Sequence, residues 1–456
     1  MPRPFKTVDY DAALDTSVRL RDCLPPTHLA CFVADLVSQL DLTTFYARYA
    51  PRGGVAYAPE VLLSLLLYGY ATGVFSSRAI EQATYDQAPF RYLAGHTHPD
   101  HDTLAAFRTQ FLDLLPAVFQ QVLLLAAAAG VLQFGQLVLA GDGTKIRADA
   151  SKSKAVSYGR LDALEARLRT EIADLLARGA AADSAPLPDG LVIATEVADR
   201  QAQLARLAEA RRVLEERAAA RDRTATATYE AAVAEREARA ARRGKKPRGR
   251  PPQPPASGGG PAARDQYNFT DPDSRVMKNP TDAGFSQAYN SQVLSDQASL
   301  LIVGYSVSNQ PIDVGEIGPA LDQVPAALEV AAIAYDTGYW RAANVAELER
   351  RGIDPYIATG RLGHRRNWQE QFESAAPAEP SAGATAREQM GYKLQTALGK
   401  LIYRGRKCTV EPVIGIIKEV LGFRQFSLRG QVKVAGEWGL VCLGYNLKRL
   451  HRLMAG

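Results

Sequence analysis

Three acidic residues, remote from one another along the chain, stand where a carboxylate could do chemistry. Asp142 ends the apolar run 136–141 and is flanked by Gly141 and Gly143, which lets backbone and ligand approach it closely. Asp336 follows the apolar run 329–335 and precedes Thr337, Gly338 and Tyr339. Glu411 follows the basic cluster Arg404, Arg406 and Lys407 and precedes Pro412, a residue suited to the first turn of a helix. If that helix continues to Leu421, Val413, Ile416, Ile417 and Val420 share one face, with Glu411, Gly415 and Lys418 opposite. Each acid alone is a weak signal. Gly-Asp-Gly also reads as a turn, and Glu411 with Lys418 as the wet side of an ordinary amphipathic helix.

The trio says more than its members. An acid on a strand, an acid after a later parallel strand and a glutamate on a following helix make a set of hard oxygen ligands. Such a set suits Mg²⁺ or Mn²⁺. Two such ions about 3.5–4 Å apart activate an attacking water or 3′-hydroxyl and stabilise the leaving oxygen of an in-line displacement. Carboxylates that close repel one another without the cations.

The neighbouring elements are those needed to position the trio. Residues 284–310 alternate as a hairpin. The run 329–335, a helix 341–351 stopped by Gly352 and a strand 356–358 form a βαβ unit. That unit puts Asp336 at the carboxyl end of its strand, where α/β sheets carry their chemistry. A helix 387–402 leads into the basic cluster, and the chain closes with a basic amphipathic helix, 432–453, carrying Trp438, Lys448, Arg449 and Arg452.

Ahead of these lie a leader, 1–26, closed by Pro25 and Pro26, and an all-helical stretch, 27–134. Pro59 opens one helix of that stretch, Ser76 with Glu81 forms a capping box for the next, and Asp102 with Thr103 caps a long fourth. Short helices with tight turns fit a helix-turn-helix DNA reader and a plain bundle equally. His96, His98 and His101 invite a metal reading, but a turn and a helix cap account for Pro99, Asp100 and Asp102 without one.

Residues 155–243 read as an antiparallel helical hairpin, with Leu161, Leu164, Leu168, Ile172 and Leu175 on one stripe. Val197, Leu204, Leu207 and Leu214 follow at coiled-coil spacing. This arm ends in 239–250, which holds seven positive residues and no acid. Within it 245–252 resembles an AT-hook, whose Arg248-Gly249-Arg250 core would fit a narrow minor groove. A flexible basic linker that binds phosphates without sequence preference is the alternative.

Composition sets the frame. A chain of 456 residues, 46% hydrophobic and 23% charged, is a soluble globular protein of two or three domains. A net charge of +5 and a pI near 8.9 point towards an anionic partner. Cys23, Cys31, Cys408 and Cys442 are scattered, which excludes a zinc ribbon or disulfide framework and fits a reducing compartment. The N-terminus has no apolar signal core, and the longest apolar runs fall short of the ~20 residues of a membrane span. The expectation is a cytoplasmic protein with no membrane partner.

The segments LAGDGTKIRADASK (139–152), TDPDSRVMK (270–278), GFSQAYNSQ (284–292), AYDTGY (334–339) and YRGRKCTVEPVIGIIKEVLGFRQFSLRG (403–430) resemble the DDE transposases of bacterial insertion sequences. The resemblance covers nearly the whole chain. It implies a ribonuclease-H-like α/β catalytic domain, 135–456, interrupted by the helical arm and a basic Pro/Gly-rich linker at 155–265. An all-α N-terminal domain, 27–134, would precede it.

Asp142, Asp336 and Glu411 would then be the DDE triad and the ligands of two Mg²⁺ or Mn²⁺ ions, with no small-molecule cofactor. A Tyr–Arg–Glu–Lys signature would fall on Tyr403, Arg406 or Lys407, Glu411 and Lys418. Arg406 keeps the usual spacing from the tyrosine and Lys407 the usual spacing from the glutamate. Lys418, Arg404 and Lys407 would touch phosphates, and Trp340 is a candidate for stacking a flipped base, against the alternative of a packed core tryptophan.

The partners implied are the element's terminal inverted repeats and target DNA. The N-terminal helices, the arm and the tract holding Arg248 and Arg250 would bind them, in a homodimer associated with the nucleoid. The implied reaction is cleavage at the element's ends and strand transfer. The rival is an inactive relative that binds DNA as a regulator.

Overall fold

The computed structural model describes residues 19–50, 56–133, 135–181, 187–243, 250–255, 260–279, 284–360, 378–381 and 383–455. Most of the expected leader, Arg248 and the rest of 244–249 lie outside them. From the N-terminus run α1 (Leu29–Val37), α2 (Thr43–Tyr46), α3 (Pro59–Thr72), α4 (Ser77–Asp86), α5 (Ala88–Leu93), α6 (His101–Gln110) and α7 (Leu115–Ala128). Pro59 opens α3, and Gly73 closes it at φ 84°, a conformation that costs a Cβ-bearing residue.

The caps differ from expectation. Ser76 makes no side-chain cap on α4, and Glu81 instead serves α6, accepting from the His101 backbone N–H at 3.1 Å and pairing with its ring at 2.8 Å. The cap of α6 is Asp100 rather than Asp102, accepting from the Thr103 N–H at 2.6 Å. His98 stacks on Tyr85 with 3.8 Å between centroids and bonds Thr84. Packing and capping thus account for His98 and His101.

Next come β1 (Leu137–Arg147), β2 (Ala155–Ser157), α8 (Tyr158–Ala180), α9 (Ile193–Arg243), β3 (Gln266–Asn268), β4 (Arg275–Asn279), β5 (Gly284–Asp296), β6 (Ile302–Ser308), α10 (Ile317–Leu321), β7 (Val330–Tyr335), α11 (Ala342–Arg350) and β8 (Asp354–Ile357). β1 is antiparallel to β5 and parallel to β7, which is parallel to β8. The other edge of β5 carries β6 and, at its start, β4. Gly-Asp-Gly is therefore the middle of a strand, not a turn. Gly352, at φ 75°, ends α11 and sends the chain into β8.

The chain finishes with α12 (Ala386–Lys393), α13 (Ala397–Gly415), a π-helical turn (Ile416–Val420) and α14 (Gln431–Ala455). Strand alternation divides the sheet into two faces. Val138, Ala332, Ala334 and Tyr356 form the face that packs against Ile402, Tyr403 and Leu394 of α12 and α13. Leu137, Leu139, Ile333, Tyr335 and Ile357 join the large core with α14 and the N-terminal helices. α14 carries Lys433 in its first turn and its other basic residues, Lys448, Arg449 and Arg452, near its end. Trp438 is fully buried and donates to the Gln292 carbonyl at 3.1 Å, and Asn446 bonds both backbone groups of Ile302.

α8 and α9 pack on each other around a core of their own, with Leu161, Leu168, Leu207, Leu214 and Tyr267 buried. No single helix among the described residues is long and apolar enough to cross a membrane.

Candidate active site

Parallel pairing matches Ala140 of β1 with Ala334 of β7. Two residues further on, Asp142 lies on β1 and Asp336 directly after the end of β7, near enough for Asp336 to raise the Asp142 pKa through its charge. By strand alternation both fall on the face covered by α13. Asp142 Oδ1 accepts from the Gly143 N–H at 2.8 Å, and Asp336 Oδ1 accepts from the Gly338 N–H at 2.8 Å. The second bond makes Asp336 the cap of the short turn Thr337–Tyr339.

α13 lays a cation across the acids. Arg406, 6% exposed, reaches Asp142 Oδ2 with Nη1 at 3.1 Å and Glu411 Oε1 with Nη2 at 3.6 Å. Its guanidinium lies 6.0 Å from the Tyr403 ring centre. Burial would lower the Arg406 pKa, but the fields of Asp142, Tyr403, Asp336 and Glu411 together hold it above its ordinary value.

Asp142 is the strained member. Burial pushes its carboxyl up to about 6 although Arg406 and the Gly143 N–H pull the other way, and Asp336 and Asp313 add to the rise. The pocket is thus short of positive charge even with Arg406 in it.

The helix differs from expectation in one respect that matters. Pro412 does not open it; it lies inside α13, which starts at Thr396 with a cap on the Gly399 N–H. A proline there removes one backbone bond, and the next turn is π-helical, with the Leu421 N–H bonded to the Ile416 carbonyl at 2.9 Å. That wider turn shifts the faces: Val413 and Ile417 are buried as expected, but Val420 is 65% exposed. Glu411 stays on the open side, and a Cβ at Gly415 would meet nothing within 4 Å. Lys418 turns back to β1, its Nζ 3.5 Å from the Lys145 carbonyl.

Arg404 and Lys407 are exposed, Tyr403 is half-buried beside Arg406, and Arg250 is exposed after α9. Of the two basic residues that could follow Tyr403 in the signature, Arg406 is the one in contact with Asp142 and Glu411. Trp340 is half-buried against the main core, which favours the packing alternative.

Sequence reasoning missed a fourth acid. Asp313 Oδ1 accepts from Lys145 Nζ at 3.0 Å, Asn290 Nδ2 at 2.7 Å and Gln292 Nε2 at 3.1 Å. It lies in an irregular loop with no periodicity to flag it. Lys145, three residues after Asp142 on β1, was the available hint.

The glycines around Asp142 also have a measurable role. A Cβ at Gly141 would stand 2.1 Å from the Tyr335 ring, and one at Gly143 2.3 Å from Gln292 Nε2. Gly141→Ala is expected to lower unfolding stability by about 1–3 kcal/mol through overpacking, as read by urea denaturation. Unchanged stability would mean that Tyr335 moves aside freely.

Two family models match the chain: the transposase domain (DUF772) over residues 18–110 and the transposase DDE domain over residues 376–451. The second spans Tyr403, Arg406, Glu411 and Lys418. These are the marks of a DDE transposase of insertion-sequence type. Neither match includes Asp142 or Asp336. Comparison with curated proteins and with solved structures gave no match. Among the described residues no three His, Cys, Asp or Glu side chains stand close enough to share an ion. Asp142 and Asp336 form a pair, and Glu411 joins them through Arg406.

Proposed function

We propose that this transposase cuts DNA at the ends of its element and joins the freed 3′-hydroxyl to target DNA, using Asp142, Asp336 and Glu411 with two Mg²⁺ or Mn²⁺ ions. The observation that carries this reading is the Arg406 guanidinium ion-paired with both Asp142, at 3.1 Å, and Glu411, at 3.6 Å, residues 269 positions apart in the chain. The donor set fits such ions, being carboxylate oxygens alone. So does the burial of Asp142, which pushes its carboxyl up to about 6 despite Arg406.

Bound divalent ions would supply activation of the oxygen nucleophile and neutralisation of charge at phosphorus. Asp142 and Asp336 would hold them from the sheet and Glu411 from α13. Arg406 links Asp142 to Glu411, and Arg404, Lys407 and Lys418 of the same helical segment would contact phosphate oxygens.

On this reading 135–456 is a ribonuclease-H-like domain, supported by the order β6-β5-β1-β7-β8 with β5 antiparallel and β7 and β8 parallel to β1. α8 and α9, with the linker up to 265, are its inserted arm. Residues 27–134 form the helical domain that reads the terminal repeats, and two copies pair two ends on nucleoid DNA in the cytoplasm.

The test is incubation of the purified protein with DNA bearing its own element's ends, with and without Mg²⁺. Nicked or joined product only with Mg²⁺ is expected. Binding without cuts in both conditions would turn the reading towards a DNA-binding regulator. The basic tract adds a salt prediction. Deleting 239–250 should flatten the fall of log affinity with log salt, by about 0.9 for each phosphate it neutralises, and an unchanged slope would leave the tract a spacer.

A further inference from the structure

Between α9 and the outer edge of the sheet, near β4, lies a cleft of about 1440 Å³, larger than the roughly 300–1,000 Å³ of ordinary small-molecule sites. Its deepest charges are Arg217 of α9 and Arg275 of β4. Both donate to the same carbonyl oxygen, Pro272 O, at 2.6 and 2.9 Å, so two guanidinium groups are held side by side. Among the described residues Arg275 otherwise bonds the carbonyls of Asp273 and Ser274. Arg217 Nη1 is buried with no partner among the described residues.

No nearby acid forms an ion pair with Arg217 or Arg275 among the described residues, although the fields of Asp273 and Asp271 reach them, and Glu316 of the lining takes the Ser308 hydroxyl. Asp271 takes the Tyr289 hydroxyl, Asp273 takes the Gln431 N–H, and Asp265 pairs with Arg221. Arg264 and Arg341 add exposed charge at the rim. An orphaned buried donor beside a like charge is costly, and an anion is what would relieve it. Burial and Arg217 bring the Arg275 pKa down to about 10 against the opposing fields of Asp273, Tyr289 and Asp271.

One loop joins this cleft to the acids. Asp313 couples to Asp142, while its neighbours Ile312 and Val314 line the cleft, as does Arg341, five positions after Asp336. The chain following α9 returns to the same place, with Pro252 and Pro255 in the lining and Arg250 exposed just before them.

We propose that this cleft is a DNA path, in which Arg217 and Arg275 clamp backbone phosphates of the strand that continues to Asp142 and Asp336. The volume of the cleft and the five arginines in its lining, Arg217, Arg221, Arg264, Arg275 and Arg341, match a sugar-phosphate chain rather than a single small anion. The inference rests on the transposase reading above and names a second contact for its substrate.

The experiment is fluorescence anisotropy of full-length protein on duplex DNA carrying the element's end, over a series of KCl concentrations. The variants are R217Q/R275Q, the exposed pair R264Q/R341Q, and R178Q on α8 as a control away from the cleft. Each double variant is expected to bind about tenfold more weakly at low salt, with a salt slope reduced by about 1.8, two phosphates' worth, while R178Q matches wild type. Should R217Q/R275Q fail to fold, as read by circular dichroism, the exposed pair decides.

Wild-type affinity and slope in R264Q/R341Q would overturn the path. Loss of the R217Q/R275Q effect in DNA binding together with a thermal shift by inorganic phosphate alone would overturn it too, leaving a free-anion site. A wild-type protein that binds no end DNA refutes the proposed function itself, whereas normal binding by all variants refutes only the cleft.

Discussion

Asp142→Asn, Asp336→Asn and Glu411→Gln are each expected to lower strand cleavage at the element's ends by about a thousandfold or more. Affinity for the same DNA should stay within about threefold of wild type. Each substitution keeps the shape of the side chain and removes one charged oxygen ligand. In a site that must gather cations against a phosphate, a missing carboxylate acts on the transition state and hardly on DNA recognition. The three should not fall independently. Arg406 bonds Asp142 and Glu411 at once, so any pair of substitutions should be little worse than one, as for residues that act as a unit. Full cleavage by any one variant would remove that residue from the site.

The second large effect is on stability, and its sign is unusual for an active-site change. In the folded chain the Asp142 carboxyl titrates near 6, against 3.8 when unfolded. Between those values the folded state binds the extra proton, so stability falls as pH rises through the window and stays lower above it. Asp142→Asn removes this burden. Without added metal the variant should unfold at a higher urea concentration than wild type at pH 7.5, by on the order of 2 kcal/mol, and should match it near pH 4. Arg406 would still have Glu411 and Asp336 beside it. Adding Mn²⁺ should reverse the ranking, since ions that bind the native state stabilise it by mass action and the variant holds them poorly. A variant less stable than wild type at pH 7.5 would mean that Arg406 already compensates the buried charge.

How much of this was legible in the sequence varies by element, and the reasons are physical. Strand periodicity and Gly352 delimited β7, α11 and β8, and with them the position of Asp336 at a strand's end. The leucine stripes of α8 and α9 were equally plain, because two helices with one shared core leave a simple repeat. Pro412 misled, since proline is commonest at a helix start and nothing local reveals that α13 runs through it. Nor does anything local reveal the π turn that follows or the exposure of Val420.

Caps were read a residue or two off where a side chain had a better distant partner, as Glu81 has in His101. Asp313 was invisible. Its three donors come from β1 and β5, and no spacing along the chain announces a contact made across a sheet. Arg406 over Lys407 could not be decided by counting residues, and was decided by which of them points at Asp142.

The central claim is that Asp142, Asp336 and Glu411 hold divalent ions against a phosphodiester. Its most direct test is the anomalous diffraction of Mn²⁺ in crystals of the protein bound to uncleaved end DNA. Two peaks about 3.5–4 Å apart, both touching Asp142 or Asp336, one touching Glu411, and the scissile phosphate between them, is the expected result. Manganese bound elsewhere, with these three side chains still joined only through Arg406 and the DNA remote from them, would contradict it.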